Sequence, residues 1–398
     1  LNIPGLIIDA KSNQVDVMGL QAALYLNGQE CDIREIQMLR PRDIEKIEYH
    51  DAPSGKYAKD KLVVNFITKQ YRYGGYVQAD GLQAMGYDHG DYNVATNYVK
   101  GNNSYTVFAG ANYSHVDGTE TWNNENYQFS QSLFDRESYS KNSYRNHQEY
   151  MQFRYQNQKG KRYWVGKFTL VNLSTPRNAS SGFAKESTET DIFSNIRKKS
   201  LSPKIDLNAN LPLSKNQTLT LGVHGKYSAN SYHRLYQEQP FEAMTDEDEK
   251  ALSFQLSAIY NYFSQKHSLS VELFHYHDVW NADYSGNCEL WQHLWKGESL
   301  AFFSYNFQAS RRLSLKNRIG LDWLQYHLHG DNSFSQLSPR INTNVQYQLN
   351  KGMLLWSFNF VNSNHGMDVI NRAMIQVNSH MMEKGMPELK KSHDINTY

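Results

Sequence analysis

The chain holds two cysteines, Cys31 and Cys288, in 398 residues. A disulfide framework is therefore excluded; a single bridge between two such distant positions is conceivable but not expected. No run of about 18 apolar residues exists, so no transmembrane helix is expected. No charge of one sign prevails. The 41 Lys and Arg stand against 40 Asp and Glu, for a net charge of +1, which speaks against a nucleic-acid partner or any broad electrostatic field. The start, Leu1-Asn2-Ile3-Pro4-Gly5, has no initiator Met, basic segment or apolar segment. No signal peptide is read there, and the chain is expected to have lost one or to begin inside a longer protein. Also missing are Gly-x-Ser-x-Gly, a phosphate loop and His-Glu-x-x-His. No enzyme is read, and no cofactor is expected.

What is present is aromatic and alternating. Tyr 28, Phe 18 and Trp 7 stand beside 9 Pro. The mean hydropathy of -0.71 looks soluble, but a barrel strand hides its apolar residues at every second position and keeps a low average. From Gly74 onward such alternation is explicit. Leu219, Leu221, Val223 and Tyr227 oppose Thr218, Thr220, His224 and Lys226. Ile205, Leu207, Ala209 and Leu211 oppose Lys204, Asp206, Asn208 and Asn210; Ile319, Leu321 and Trp323 oppose Arg318 and Asp322. Ile341, Val345, Tyr347 and Leu349 repeat the scheme. Each segment thus has one apolar and one polar face.

The connections separate a soluble sheet from a membrane barrel. Short polar turns are read at 101–103, 158–160, 214–216, 264–266, 310–312 and 350–352. Long loops are read at 118–141, 174–195, 236–249, 280–290 and 362–392. Sorting of loop length by rim is the pattern of an outer-membrane barrel. About 13–14 strands fit between Gly74 and the C-terminus at about 10 residues each. Ile395-Asn396-Thr397-Tyr398 reads as the start of a strand, and unpaired edge groups are costly in lipid. The barrel is therefore expected to continue beyond the C-terminus.

The first 69 residues have a different texture, with short apolar pieces between turn signals. In order they contain Asn27-Gly28, then Leu39-Arg40-Pro41-Arg42-Asp43-Ile44-Glu45-Lys46-Ile47-Glu48. Pro53-Ser54-Gly55-Lys56-Tyr57 and Val64-Asn65-Phe66-Ile67-Thr68-Lys69 follow. Arg40 to Glu48 reads as a short helix start, with Pro41 and acids ahead of the pair Ile44 and Ile47. The whole series resembles the end of the plug in TonB-dependent outer-membrane receptors, especially the Bacteroidetes-type β-barrel family. Gly385-Met386-Pro387-Glu388-Leu389-Lys390 is similar to an element of a late extracellular loop in that family. The glycines usual before the last plug strand are absent; Ala58-Lys59-Asp60-Lys61-Leu62 stands there.

The resemblance implies an all-β fold: part of a 22-stranded antiparallel barrel, with the C-terminal part of a small α/β plug. It implies residues 1–69 as plug and 70–398 as partial barrel. Asn27, Gly28, Pro41, Asp43, Ile44, Ile47, Glu48, Pro53, Tyr57, Asn65, Thr68 and Lys69 would be structural residues of the plug. It also implies an outer-membrane location, lipid around the barrel, the TonB complex as partner if a TonB box lies upstream, and a surface lipoprotein partner.

The candidate ligand contacts are aromatic. Trp122 and Tyr127 sit in one external loop, Trp280 and Tyr284 in another; they fit either a solute-stacking site or the interfacial girdle. Trp291 and Trp295, four apart, fit the girdle better. His275 and His277 share a strand face with Leu269, Val271 and Leu273. Two nitrogens are few for zinc, so an interfacial belt is the expectation. The function expected first is a nutrient importer. A non-transporting surface binding protein on the same frame, a non-functional remnant and a soluble all-β protein are the alternatives.

Overall fold

The computed structural model describes residues 6–9, 14–17, 20–31, 33–37, 39–50, 57, 62–69, 71–86, 88–128, 133–186, 188–310, 312–331, 333–350, 352–363, 370–386 and 392–397. Fourteen strands form one antiparallel sheet in which each strand pairs with its sequence neighbours. They are β1 (Tyr73–Gln83), β2 (Asp88–Lys100), β3 (Asn103–Gln128), β4 (Leu133–Lys159), β5 (Arg162–Lys185), β6 (Glu189–Ser214) and β7 (Gln217–Glu238). Then come β8 (Phe241–Phe263), β9 (His267–Gly286), β10 (Leu290–Gln308), β11 (Leu313–Leu328), β12 (Phe334–Leu349), β13 (Gly352–Ser363) and β14 (Ser392–Thr397). The count agrees with the 13–14 read from the sequence. Among the described residues β1 and β14 are the edges of the sheet.

The alternation in the sequence becomes two faces. Leu273, Ile319 and Leu321 are about half exposed, at 51%, 55% and 53%. Ile205, Leu207, Leu221, Val223, Leu252, Leu256 and Trp323 are exposed on the same side of their strands. The opposite positions are closed: Glu272, Gln152, Gln292 and Asp322 are buried. A water-soluble sheet buries its apolar face and shows the polar one; here the apolar face is bare, as hydrocarbon contact requires. At the short-turn edge of the bare face, Tyr73, Tyr98, Tyr105 and Tyr155 form a chain of ring contacts with centroids 6.5, 6.4 and 5.3 Å apart. Such a row is the aromatic girdle of a membrane barrel.

The six short turns all fall where expected, on one rim. The long loops do not. The strands run through most of 118–141, 174–195, 236–249 and 280–290, leaving gaps only at 129–132, 186–188, 239–240 and 287–289. Trp122 therefore stands in strand β3. A membrane crossing needs about 9–11 residues, whereas β4 has 27 and β3 and β6 have 26. Beyond the apolar band the outward face no longer meets hydrocarbon, so backbone pairing continues while hydrophobic alternation fades; that is why these stretches read as loops. A bulge at Gly118, between Asp117 and Thr119, bends β3 where the extension begins.

On the concave side lies a smaller four-stranded mixed sheet. Its strand order is Gln29–Glu30, Ala23–Leu26, Val63–Thr68, Ile44–His50. Ala23–Leu26 and Val63–Thr68 run parallel; the other pairs are antiparallel. The helix start read at Arg40–Glu48 is corrected. Only Pro41–Asp43 forms a 3-10 turn, and Ile44–His50 is a strand. The isoleucines and the pairing edge of Val63–Thr68 override the helix signal, as tertiary context does for short segments.

Candidate functional site

Hydrogen bonds join the polar motif residues of the small sheet, and packing holds the apolar ones. Asn27 and Gly28 both have positive φ, 52° and 78°, which suits a tight two-residue hairpin. Asn27 clamps the neighbouring strand: its Oδ1 accepts from the Thr68 amide and its Nδ2 donates to Thr68 Oγ1, both at 2.9 Å. Asn65, 1% exposed, accepts from the Gly28 amide at 2.8 Å and donates to Glu48 Oε2 at 2.8 Å. Asp43 accepts from Arg40 at 2.5 Å and from the Tyr71 hydroxyl at 2.9 Å. Lys69 Nζ donates to the Arg42 carbonyl at 2.7 Å. Tyr57 packs edge-on against Tyr25 at 4.7 Å. Ile47 packs against the cluster of Ala22, Leu24, Leu62 and Val64, as does Cys31. Pro53 lies outside the described residues.

Burial disfavours the Glu48 carboxylate, but hydrogen bonds from Lys46 and Asn65 outweigh it and hold its pKa below the ordinary value. A depressed folded pKa contributes stability above the unfolded pKa, and the contribution is lost as pH falls through the folded one. Asn65→Ala should remove both hydrogen bonds and leave the partly buried Gly28 amide without its acceptor, at a cost of about 1 to 3 kcal/mol. Hydrogen exchange should show faster opening of Val63–Thr68 at neutral pH, with a smaller acid sensitivity than the parent. Unchanged protection would remove Asn65 as the link.

The small sheet is held to the large one by polar contacts along inward faces. Arg154 on β4 donates to the Leu26 carbonyl at 3.3 Å. Lys167 on β5 donates to the Glu30 carbonyl at 2.7 Å and lies 3.8 Å from Glu35 and 3.5 Å from Asp206. Arg40 sits 4.0 Å above the Tyr76 ring of β1. Between the two sheets is a cavity of about 620 Å³, lined by Arg40, Asp43, Tyr76, Arg154, Gln156 and Tyr163 among others.

At the other end, residues 370–386 fold inward over the concave face and carry a hairpin of Met374–Gln376 and Met382–Lys384. Part of the loop expected at 362–392 is thus a folded cover. Ile370 and Ala373 pack with Trp280, Ala282, Tyr284, Leu294, Tyr326 and Leu328. Arg234 of β7 donates to the Gln376 and Val377 carbonyls. Ser379 donates to Glu238 at 2.9 Å, and His380 lies 3.2 Å from Glu186. Behind them Arg136 binds Glu238 at 2.8 Å, Glu186 at 3.2 Å and the Tyr236 hydroxyl at 3.1 Å. Burial, with the Glu238 charge, pushes the Tyr236 hydroxyl up to about 12. The sequence offered no signal for Arg136, Arg234 or Glu238, because their convergence depends on tertiary position alone.

The aromatic candidates divide. Trp280 and Tyr284 point inward and are buried beneath the cover; Tyr284 donates to Glu247 Oε1 at 3.0 Å. Trp122, 71% exposed, faces outward, where it packs with Tyr139 at 4.5 Å and Phe183 at 6.3 Å. The structure therefore does not bring Trp122 together with Trp280 and Tyr284. The side chain of Tyr127 lies outside the described residues. Trp291, His293 and Trp295 share the outward face; His275 and His277 do likewise, beside Phe254 and Trp295. Cys288 packs against the Trp280 cluster, so it and Cys31 are in different places and are not bridged.

Trp280→Ala should open a cavity costing about 3 to 5 kcal/mol. Because the cover rests on Trp280, exchange at 374–376 and 382–384 should rise more than at the membrane-height residues of β9. Equal changes in both would show that the cover is held elsewhere.

Solved structures share this architecture. A copper transporter, OprC, matches with a TM-score of 0.54 at 11% identity, over 92% of this chain and 60% of its own. The chain has a TonB-dependent-receptor-like fold. Fainter likenesses are the siderophore receptor PiuA from Acinetobacter baumannii (TM-score 0.49, 9% identity, 88% of this chain and 59% of that one) and the ferric yersiniabactin uptake receptor FyuA from Yersinia pestis (0.40, 8%, 99% and 85%). No family model matches the chain, and no curated protein matches it in sequence. The chain spans about three fifths of the length of the OprC and PiuA chains. Receptor-like barrels of this kind belong to the bacterial outer membrane, and the bare apolar band has the form that location demands.

Proposed function

We propose that the chain is part of an outer-membrane receptor that takes up a nutrient from outside and passes it to the periplasm. The observation that carries this reading is the small sheet seated within the concave face of a membrane-type barrel sheet. A barrel whose lumen is occupied needs a means of moving or loosening the occupant, and polar contacts such as Arg154 to Leu26 and Lys167 to Glu30 are easier to exchange than an apolar seal. Residues 1–69 would be the end of the plug and 70–398 part of the barrel, with the TonB complex as the source of force and a surface lipoprotein as a further partner. The solute would meet the cover at 370–386 and the charged group of Arg136, Glu186 and Glu238. Trp122 and Tyr127 would contact it earlier, on the tall hairpins; Trp280 and Tyr284 would support the cover.

The test is uptake by a deletion strain across chelated metals, peptides and glycans, with and without a protonophore. Loss of uptake of one solute class, matched by protonophore sensitivity in the parent, is expected. Unchanged uptake of all of them, with surface binding lost, would replace this reading by that of a non-transporting binding protein.

A further inference from the structure

The cavity between the two sheets is lined by a cation that no described residue pairs. Arg154 stands on the inward face of β4, directly opposite Thr106 of β3 and Lys167 of β5. Two cations opposite one another are unfavourable unless each is balanced. Lys167 is balanced, with Glu35 at 3.8 Å and Asp206 at 3.5 Å. Arg154 is not. Its Nη2 donates to the Leu26 carbonyl at 3.3 Å and to Gln156 Oε1 at 3.4 Å, both neutral acceptors. Its Nε and Nη1 have no acceptor among the described residues, and it forms no ion pair with them. Glu35 acts on it through space but is the partner of Lys167.

Arg154 is 5% exposed. A guanidinium held at that depth without a counter-charge is costly, because it has given up its water. The other cations of the cavity are placed differently. Arg40 is paired with Asp43 at 2.5 Å, while Arg42 and Lys69 are exposed at its edge.

Two neutral donors turn to the same space. Gln152, 2% exposed, accepts at Oε1 from the hydroxyls of Tyr150 at 2.6 Å and Thr169 at 3.3 Å. Its Nε2 is left as a donor with no acceptor among the described residues. Tyr163 shares the inward face of β5 with Lys167, and its hydroxyl has no hydrogen-bond partner among them either. Gln152, Arg154 and Tyr163 all line the cavity. A guanidinium, an amide N–H and a phenol O–H that converge without acceptors suit an oxyanion, which accepts from all three. The volume, about 620 Å³, falls among small-molecule sites of about 300 to 1,000 Å³. Tyr76, Phe108 and Val165 in the wall give an organic body something to pack on. Gly101, Asn102 and Gln158 set the site at the short-turn end.

We propose that Gln152, Arg154 and Tyr163 bind the carboxylate or phosphate of a small organic anion beside the plug. This rests on the importer reading above and deepens it, by making the solute anionic. Thermal unfolding of the purified full chain in detergent tests it, in millimolar citrate, inorganic phosphate or chloride at matched ionic strength. The parent's midpoint should rise with citrate or phosphate and level off, as binding to a single site requires. Arg154→Met should weaken that response at least tenfold, and Tyr163→Phe about threefold to tenfold. Tyr163→Phe removes one hydroxyl and little packing, so it carries the test if Arg154→Met does not fold. A response to citrate alone makes the ligand a carboxylate; a response to phosphate alone makes it a phosphate. No response of the parent to either, or a rise that never levels and is shared by the variants, as general salt exclusion gives, overturns the proposal. Uptake in cells is scored apart. Import of a solute by a parent that ignores both anions refutes this inference alone; saturable binding with no uptake of any solute leaves the site standing and refutes the importer.

Discussion

Arg318→Ala should destabilise the sheet by about 3 to 5 kcal/mol, more than most single changes in the chain. Glu272, on the inward face of β9, is 1% exposed. Its carboxylate is held by Arg318 Nη2 at 2.6 Å, by Ser304 at 3.1 Å and by Ser270 at 3.3 Å. The guanidinium also covers the Phe302 ring at 3.7 Å. Removing it leaves a buried carboxylate with two weak hydroxyl donors and uncovers an aromatic face. Replacing the pair together, with Glu272→Leu and Arg318→Met, should recover most of the loss, because a buried pair and an apolar substitute of similar volume are nearly equal in stability. Urea unfolding of the two variants measures this; an Arg318→Ala protein as stable as the parent would mean that water reaches Glu272.

Leu273→Arg should cost about 2 to 4 kcal/mol if the residue faces the middle of a bilayer. Leu273 is 51% exposed and has Val271 two residues away on the same outward face. In a soluble protein the same substitution at an exposed position changes stability by less than about 0.5 kcal/mol. Asp283, ten residues along β9 and on the same face, provides the contrast: Asp283→Arg should be nearly neutral, because it lies beyond the apolar band. Folding into lipid vesicles, followed by heat-modifiable migration, separates the two. Equal tolerance at both positions would remove the bilayer from the account.

The sequence disclosed the parts of the fold governed by local chemistry. Leu219, Leu221 and Val223 alternate with Thr218, Thr220 and His224 because one face meets hydrocarbon and the other a polar lumen, and that contrast is written into single residues. Short turns such as 215–216 carry polar turn chemistry and are equally plain. The tall extensions read as loops because Glu120, Trp122 and Asn124 stand among polar neighbours once the outward face leaves the hydrocarbon. The 3-10 turn at Pro41–Asp43 carries helix-start residues but gives way to a strand after one turn, which only pairing with Val63–Thr68 decides. The candidate site was less visible. Trp280 and Tyr284 stand out in the sequence as aromatics, but their burial follows from the infolding of Ile370 and Ala373. Nothing local marks Arg136 and Glu238, 102 positions apart, as partners. Such sites arise from register across strands, which a single sequence states only indirectly.

Spin-label accessibility along β9, one label at a time from Leu269 to Asp283, tests the central claim most directly. For the chain in a bilayer, labels at 269, 271 and 273 should collide readily with oxygen and poorly with a polar nickel chelate. Labels at 270, 272 and 274 should meet neither, and the preference should reverse to the chelate by 281 and 283. Ready access of the nickel chelate to 269, 271 and 273 would contradict a membrane-facing band and the barrel reading with it.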